Sequence, residues 1–286
     1  MESSVRRSLQ EYGRGIAGGL LFSLPMLYTM ELWWTGFLAG PLRLLALLGV
    51  TFVLLVGYNH FGGFRAGDRL PDVLEDSVVE LGLGLGVAAG VLWLVGQIAT
   101  DEPLSVAVGK VVVTAASVAI GISVGRAQLG GDDSREKDRT APGGRRRDHA
   151  PGESGHFWAQ LVIGICGAVL VAANVAPTEE IVLIAVESTP LKLLGLATLS
   201  ILLGGAILFH TDFRGALRHV RRPERWLDVV TGTAVMYSAA LGVAGFMLWF
   251  FDRFSGVTLA TGIAQTVVLG FPAALGTSAG RLLLQH

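Results

Sequence analysis

Charge is scarce in this chain. Only 16% of its 286 residues are Asp, Glu, Lys or Arg, against about 25% in an ordinary soluble domain. The net charge is −1, so there is no basic excess to hold a phosphate backbone, which argues against a nucleic-acid partner. Cysteine is nearly absent. Cys166 is the single one, so no disulfide can form within the chain, and a packed thiol is expected. The spacings His-x-x-x-His and Cys-x-x-Cys and the phosphate-binding loop do not occur, so neither a metal site nor a cofactor is expected. His60 and His210 fall near the same end of two apolar runs, one register apart, and are only a weak candidate metal pair.

The chain is rich in long apolar runs. Half of it is hydrophobic (51%) and the mean hydropathy is +0.57. The runs are about 18–25 residues long, the length of a helix that crosses a bilayer. Eight are expected, at 14–36, 42–61, 75–99, 104–125, 157–176, 191–210, 227–251 and 257–281. They use up nearly the whole length, which leaves no room for a soluble catalytic domain, and no enzyme is expected. The first run follows Arg6 and Arg7 as a signal peptide would, but it is too long and has no small-residue cleavage site, so it reads as a retained anchor. Pro25 should kink it.

The runs form a pattern. Residues 13–129 and 157–285 read as two copies of one four-helix unit. Across 29–67 each residue pairs with the one 149 positions later, and ten of the 39 pairs are identical, among them Thr29/Thr178, Glu31/Glu180, Pro41/Pro190 and Arg65/Arg214. In the third helix of each copy the offset moves from 152 to 156. In the fourth it is 155, where Gly121-Ile122-Ser123-Val124-Gly125-Arg126 faces Gly276-Thr277-Ser278-Ala279-Gly280-Arg281. The expected fold is therefore all-α and polytopic, with eight transmembrane helices in two parallel repeats and both termini cytoplasmic. Each repeat has an even number of spans, so a pseudo-two-fold axis should run along the membrane normal. The expected domains are 1–129, a disordered linker at 130–155 and 156–286. The linker holds Pro142-Gly143-Gly144 and Arg145-Arg146-Arg147 and cannot bury apolar surface. In this topology 18 of the 22 basic residues lie on the cytoplasmic side, and only Arg43, Lys110, Lys192 and Arg253 lie outside, as the positive-inside rule requires.

Small residues predict where helices touch. Gly82, Gly86 and Gly90, with Gly15/Gly19, Gly121/Gly125 and Gly276/Gly280, recur at every fourth position. Backbones approach closely at such positions in lipid, and these faces are expected inside the bundle. Gly-x-Ser-x-Gly occurs around Ser123 and Ser278, but inside helices, where a serine bonded to its own backbone is expected rather than a hydrolase nucleophile.

Four carboxylates are candidates for binding an ion or solute: Glu31, Glu180, Glu179 and Glu80. Glu31 and Glu180 are related by the repeat, and each lies ten residues before a Pro-Leu-basic triplet. A charge at membrane depth costs about 2.5–3.5 kcal/mol on insertion scales, so a partner is expected. Arg43 and Lys192 are the natural ones. The pairs could be structural salt bridges, or the acids could bind a cation or relay protons. Pro177 should break the fifth run beside Glu179 and lay 181–188 along the membrane surface. Asp72, Asp76 and Glu80 share one face of the third helix. The first two suit a helix N-terminus. Glu80 lies deeper and has no basic residue within two turns on its C-terminal side, so it is either a hydrogen-bonded buried acid or an ion ligand.

Two stretches carry a resemblance: Leu27-Tyr28-Thr29-Met30-Glu31-Leu32-Trp33-Trp34 and Asn174-Val175-Ala176-Pro177-Thr178-Glu179-Glu180. With them the chain resembles a family of prokaryotic integral membrane proteins of unknown function, over its whole length except the linker. The resemblance implies a location in the prokaryotic plasma (inner) membrane and no particular activity. The sequence leaves two functions open. One is passage of a small ion or solute, a cation or proton, as a channel or secondary transporter. The other is a non-transporting scaffold or accessory subunit with structural carboxylates. The lipid bilayer is the certain partner in either case, and a homo-oligomer is compatible with both.

Overall fold

The computed structural model describes residues 2–61, 69–99, 101–129, 153–215 and 225–283, with the side chains of a few end segments left out. Among the described residues there are ten helices and no strand. They are α1 (Glu2–Leu27), α2 (Met30–Leu38), α3 (Pro41–Phe61), α4 (Leu70–Leu94) and α5 (Leu104–Leu129), then α6 (Glu153–Val175), α7 (Glu180–Glu187), α8 (Pro190–Gly215), α9 (Arg225–Phe250) and α10 (Leu259–Leu283). Seven of them are long and apolar enough to cross a membrane, and α1 with α2 would make an eighth. The chain divides into two compact units, 1–162 and 163–286. The segment expected to be a disordered linker lies outside the described residues, except for 153–155, which open α6.

The first expected span is corrected. One kinked helix was expected over 14–36, but the chain breaks at Tyr28–Thr29 and turns by 86° from α1 into α2. Pro25 has no N–H to continue the ladder. Tyr28 N bonds back to Pro25 O at 3.2 Å, and Thr29 leaves in an extended conformation. The corresponding break before α7 falls where Pro177 places it, after Val175.

Helix starts and stops follow local chemistry. Pro41 and Pro190 open α3 and α8, where a missing N–H costs nothing. Pro71 lies in the first turn of α4, where a proline suits, and the helix spans 70–94, ending before the apolar run 75–99 does. It stops at Gly96, whose φ of 77° lets Gln97 N reach back to Leu92 O at 2.8 Å. That bond is the six-to-one closure of a Schellman cap. The end of α9 repeats it 156 residues later, where Arg253 N bonds Leu248 O at 2.8 Å and Asp252 takes a φ of 61°.

In the first unit α5 is the central helix, buried without interruption from Val112 to Arg126. It crosses α1 at bare backbone. A Cβ built on Gly18 would lie 2.6 Å from Gly125 Cα and 2.8 Å from Gly121 O. In the second unit Gly167 meets Gly276 and Gly280 in the same way. The expectation for Gly82, Gly86 and Gly90 is corrected, because a Cβ added at any of them would meet nothing within 4 Å. The buried face of α4 is the other one, Ser77, Glu80, Gly84, Ala88 and Leu92. A helix can turn only one such face inward, and burying Glu80 decides which.

Candidate functional site

The polar centre of the first unit is assembled from α3, α4 and α5. Glu80, on α4, is 1% exposed. Arg126 Nη1, on α5, donates to Glu80 Oε1 at 2.7 Å, and Asn59 Nδ2, on α3, donates to Glu80 Oε2 at 2.8 Å. Arg126 Nη2 reaches Asp76 Oδ1 at 3.2 Å, one turn before Glu80. Asn59 Nδ2 also donates to Ser77 Oγ at 3.1 Å, and Asn59 Oδ1 accepts from Ser123 Oγ at 2.9 Å. Ser77 Oγ donates its own hydrogen bond to Val73 O. Six side chains thus close on one another, and both oxygens of Glu80 are engaged by donors. Asp76, 25% exposed, connects the cluster to the surface of the unit.

Helix geometry explains why these residues meet. Ser77 and Glu80 lie three apart on α4, and Ser123 and Arg126 three apart on α5, so each pair forms one patch. Gly84 has Ala119 against it where its side chain would be. The two helices therefore run close, and the Arg126 guanidinium arrives beside the carboxylate rather than beyond it. An ion pair with added hydrogen bonds can offset the desolvation of both charges.

The other candidate residues stand elsewhere. Glu31, in the first turn of α2, is half-buried and forms no ion pair among the described residues. Its expected partner Arg43 lies in the first turn of α3 and is also half-buried. Glu179 and Glu180 are exposed at the start of α7, and Lys192 is exposed on α8. Neither Glu180 nor Lys192 forms an ion pair among the described residues. The carboxyl of Glu180 is held below the usual carboxylate range, first by its own backbone N–H and then by the Thr178 hydroxyl. The structure thus does not draw the four acids together. It singles out Glu80 and supplies it with Arg126.

Three members of the cluster, Asn59, Ser77 and Arg126, were not candidates from sequence. Arg126 had a signal, since it closes the six-residue motif that returns at Arg281. Asn59 had another, being one of two asparagines in the chain and placed inside an apolar run. Ser77 had none. The serine motif resolves in two ways. Ser278 Oγ bonds its own helix at Ala274 O, as expected, whereas Ser123 Oγ spends its proton on Asn59.

Lys110 Nζ, on α5, donates to Gln97 O at 2.8 Å and forms an ion pair with Glu102, close to where Gly36 of α2 rests on the α5 backbone. In the second unit α8, α9 and α10 enclose a cavity of about 20 Å³, room for one water, lined by Ser200, Gly204, Thr233, Met236, Tyr237 and Ser278 among others. Counting the same 156 residues that relate the helix caps, Thr233 stands where Ser77 stands and Met236 where Glu80 does. No group of three metal-ligating side chains occurs among the described residues, and the side chain of His210 lies outside them.

A family model described as "Putative integral membrane protein (DUF2391)" matches residues 11–284. The chain belongs to that family, and with its apolar helices it is an integral membrane protein. No curated protein and no solved structure matches it.

Proposed function

We propose that this member of the integral membrane protein family DUF2391 is a non-transporting scaffold or accessory subunit of the prokaryotic plasma membrane. It would be built by duplication of a four-span unit, with both termini cytoplasmic. The observation that carries the functional reading is the closure of the Glu80 cluster. A carboxylate that takes up and releases a cation or proton needs a path to water and a free oxygen. Glu80 is 1% exposed and both its oxygens accept hydrogen bonds inside the unit. Such a network fixes the packing of three helices. Duplication is supported by the glycine crossings Gly18–Gly125 and Gly167–Gly280 and by the matching caps after α4 and α9. The cytoplasmic termini rest on the distribution of basic residues.

A second reading, passage of a small ion, is favoured by the hydroxyl-lined cavity of the second unit. Proteoliposomes separate the two. Reconstituted protein should carry protons, sodium, potassium and chloride no faster than empty vesicles. A flux of any of these ions above that of empty vesicles, from well-folded protein, would replace the scaffold with a transporter.

A further inference from the structure

The polar groups that line the cavity of the second unit are hydroxyls and one thioether. Ser200 Oγ donates to Leu196 O at 2.8 Å, Thr277 Oγ1 to Ala273 O at 3.0 Å, and Ser278 Oγ to Ala274 O at 3.0 Å. A hydroxyl has one proton. These three spend theirs on their own helices, so they offer the cavity only oxygen lone pairs. Tyr237 Oη is sealed from solvent, and the group its hydroxyl faces is Ser200 Oγ, whose own proton goes to Leu196 O. The thioether of Met236 is also an acceptor, and no charged side chain lines the space. An anion would face the lone pairs of these three hydroxyls and no cationic side chain, and a divalent ion would lack the carboxylates it needs. The volume, about 20 Å³, admits one water-sized body.

We propose that this cavity is a binding site for a single dehydrated monovalent cation of the alkali or ammonium class, held by neutral oxygens between α8, α9 and α10. Rings of neutral oxygens serve such ions in potassium-selective filters. Gly204 keeps the wall open. A methyl group there would lie 3.9 Å from Ser278 Oγ, an ordinary contact that strains nothing yet takes space beside the oxygens. The site belongs to the second unit, since the first unit places its sealed Glu80–Arg126 pair at the matching position. It does not require transport.

The test is thermal unfolding of the full chain in detergent, in sodium, potassium, ammonium or choline chloride at equal ionic strength. At least one of the three small cations should raise the melting temperature saturably over choline, which is too large to enter. Gly204→Ala, which takes space beside the oxygens, and Ser278→Ala, which removes one ligand oxygen, should each melt normally in choline and weaken the response by about tenfold. Thr198→Ala, which removes an exposed hydroxyl on α8, should leave the response intact. If choline matches all three small cations, the cavity holds an ordered water only and the proposal falls. It falls equally if both cavity variants respond like the wild type, or if Thr198→Ala weakens the response as much as they do.

Discussion

Glu80 and Glu31 are both acids near or within apolar helices, yet the structure treats them oppositely. Glu80 is enclosed and paired with Arg126, whereas Glu31 is half-buried without an ion pair among the described residues. Removing one partner from a buried pair leaves the other charge uncompensated, at about 3–5 kcal/mol. Arg126→Met should therefore lower stability by about that much in a detergent melt. Adding Glu80→Gln to Arg126→Met should recover part of the loss, and a double-mutant cycle reads the coupling directly. Additive losses would show that the pair is not a unit. Glu31→Gln should leave the melting temperature unchanged, because that carboxylate has no ionic partner among the described residues. The repeat pointed to Glu31 and Glu180 because they match each other. It passed over Asn59 and Ser77 because Asn59 meets Glu80 21 residues away and Ser77 meets Asn59 18 residues away, each on another helix.

Helices pack here through missing side chains as much as through those present. At the α1–α5 crossing the backbones touch at Gly18, Gly121 and Gly125. Gly18→Ala has no space for its Cβ and should destabilise by about 1–3 kcal/mol, the usual cost of overpacking. Gly82→Ala lies on the open face of α4 and should be neutral or slightly stabilising, since alanine favours helix. Equal effects at the two sites would contradict the placement of the faces. The cap after α4 supplies another case. At Gly96 the backbone has a φ of 77°, and Gly96→Ala should cost about 1–2 kcal/mol of strain in the left-handed region. Both sets of glycines have the same four-residue spacing, so spacing alone could not tell the packed set from the exposed one. Sequence predicted the break at Pro177 and a kink, though not a break, at Pro25, because proline acts within a few residues of itself. It did not predict the 86° angle, which depends on where α2 finds a surface, Gly36 against Gly109 and Lys110.

At the scale of the molecule, two runs of five helices among the described residues follow the same order, long, short and then three long. Their interiors differ, with an ion pair in one unit and a hydroxyl-lined cavity in the other. In the proposed topology the segment 130–152 faces the cytoplasm. A protease added to inside-out vesicles should therefore cut there and leave two membrane-embedded fragments, and cutting only from the opposite face would invert the topology. The sequence by itself determined the all-α membrane class, the number of apolar runs to within the one that breaks, and the positions of most helix ends. Those properties are set by hydrophobicity summed over about twenty residues and by proline and glycine acting locally. Only the tertiary structure decided which acid is buried, which cation meets it and which glycine face turns inward. Each of those depends on the rotation of one helix about its axis against another, and α3, α4 and α5 set that rotation together when they bring Asn59, Glu80 and Arg126 within hydrogen-bond reach.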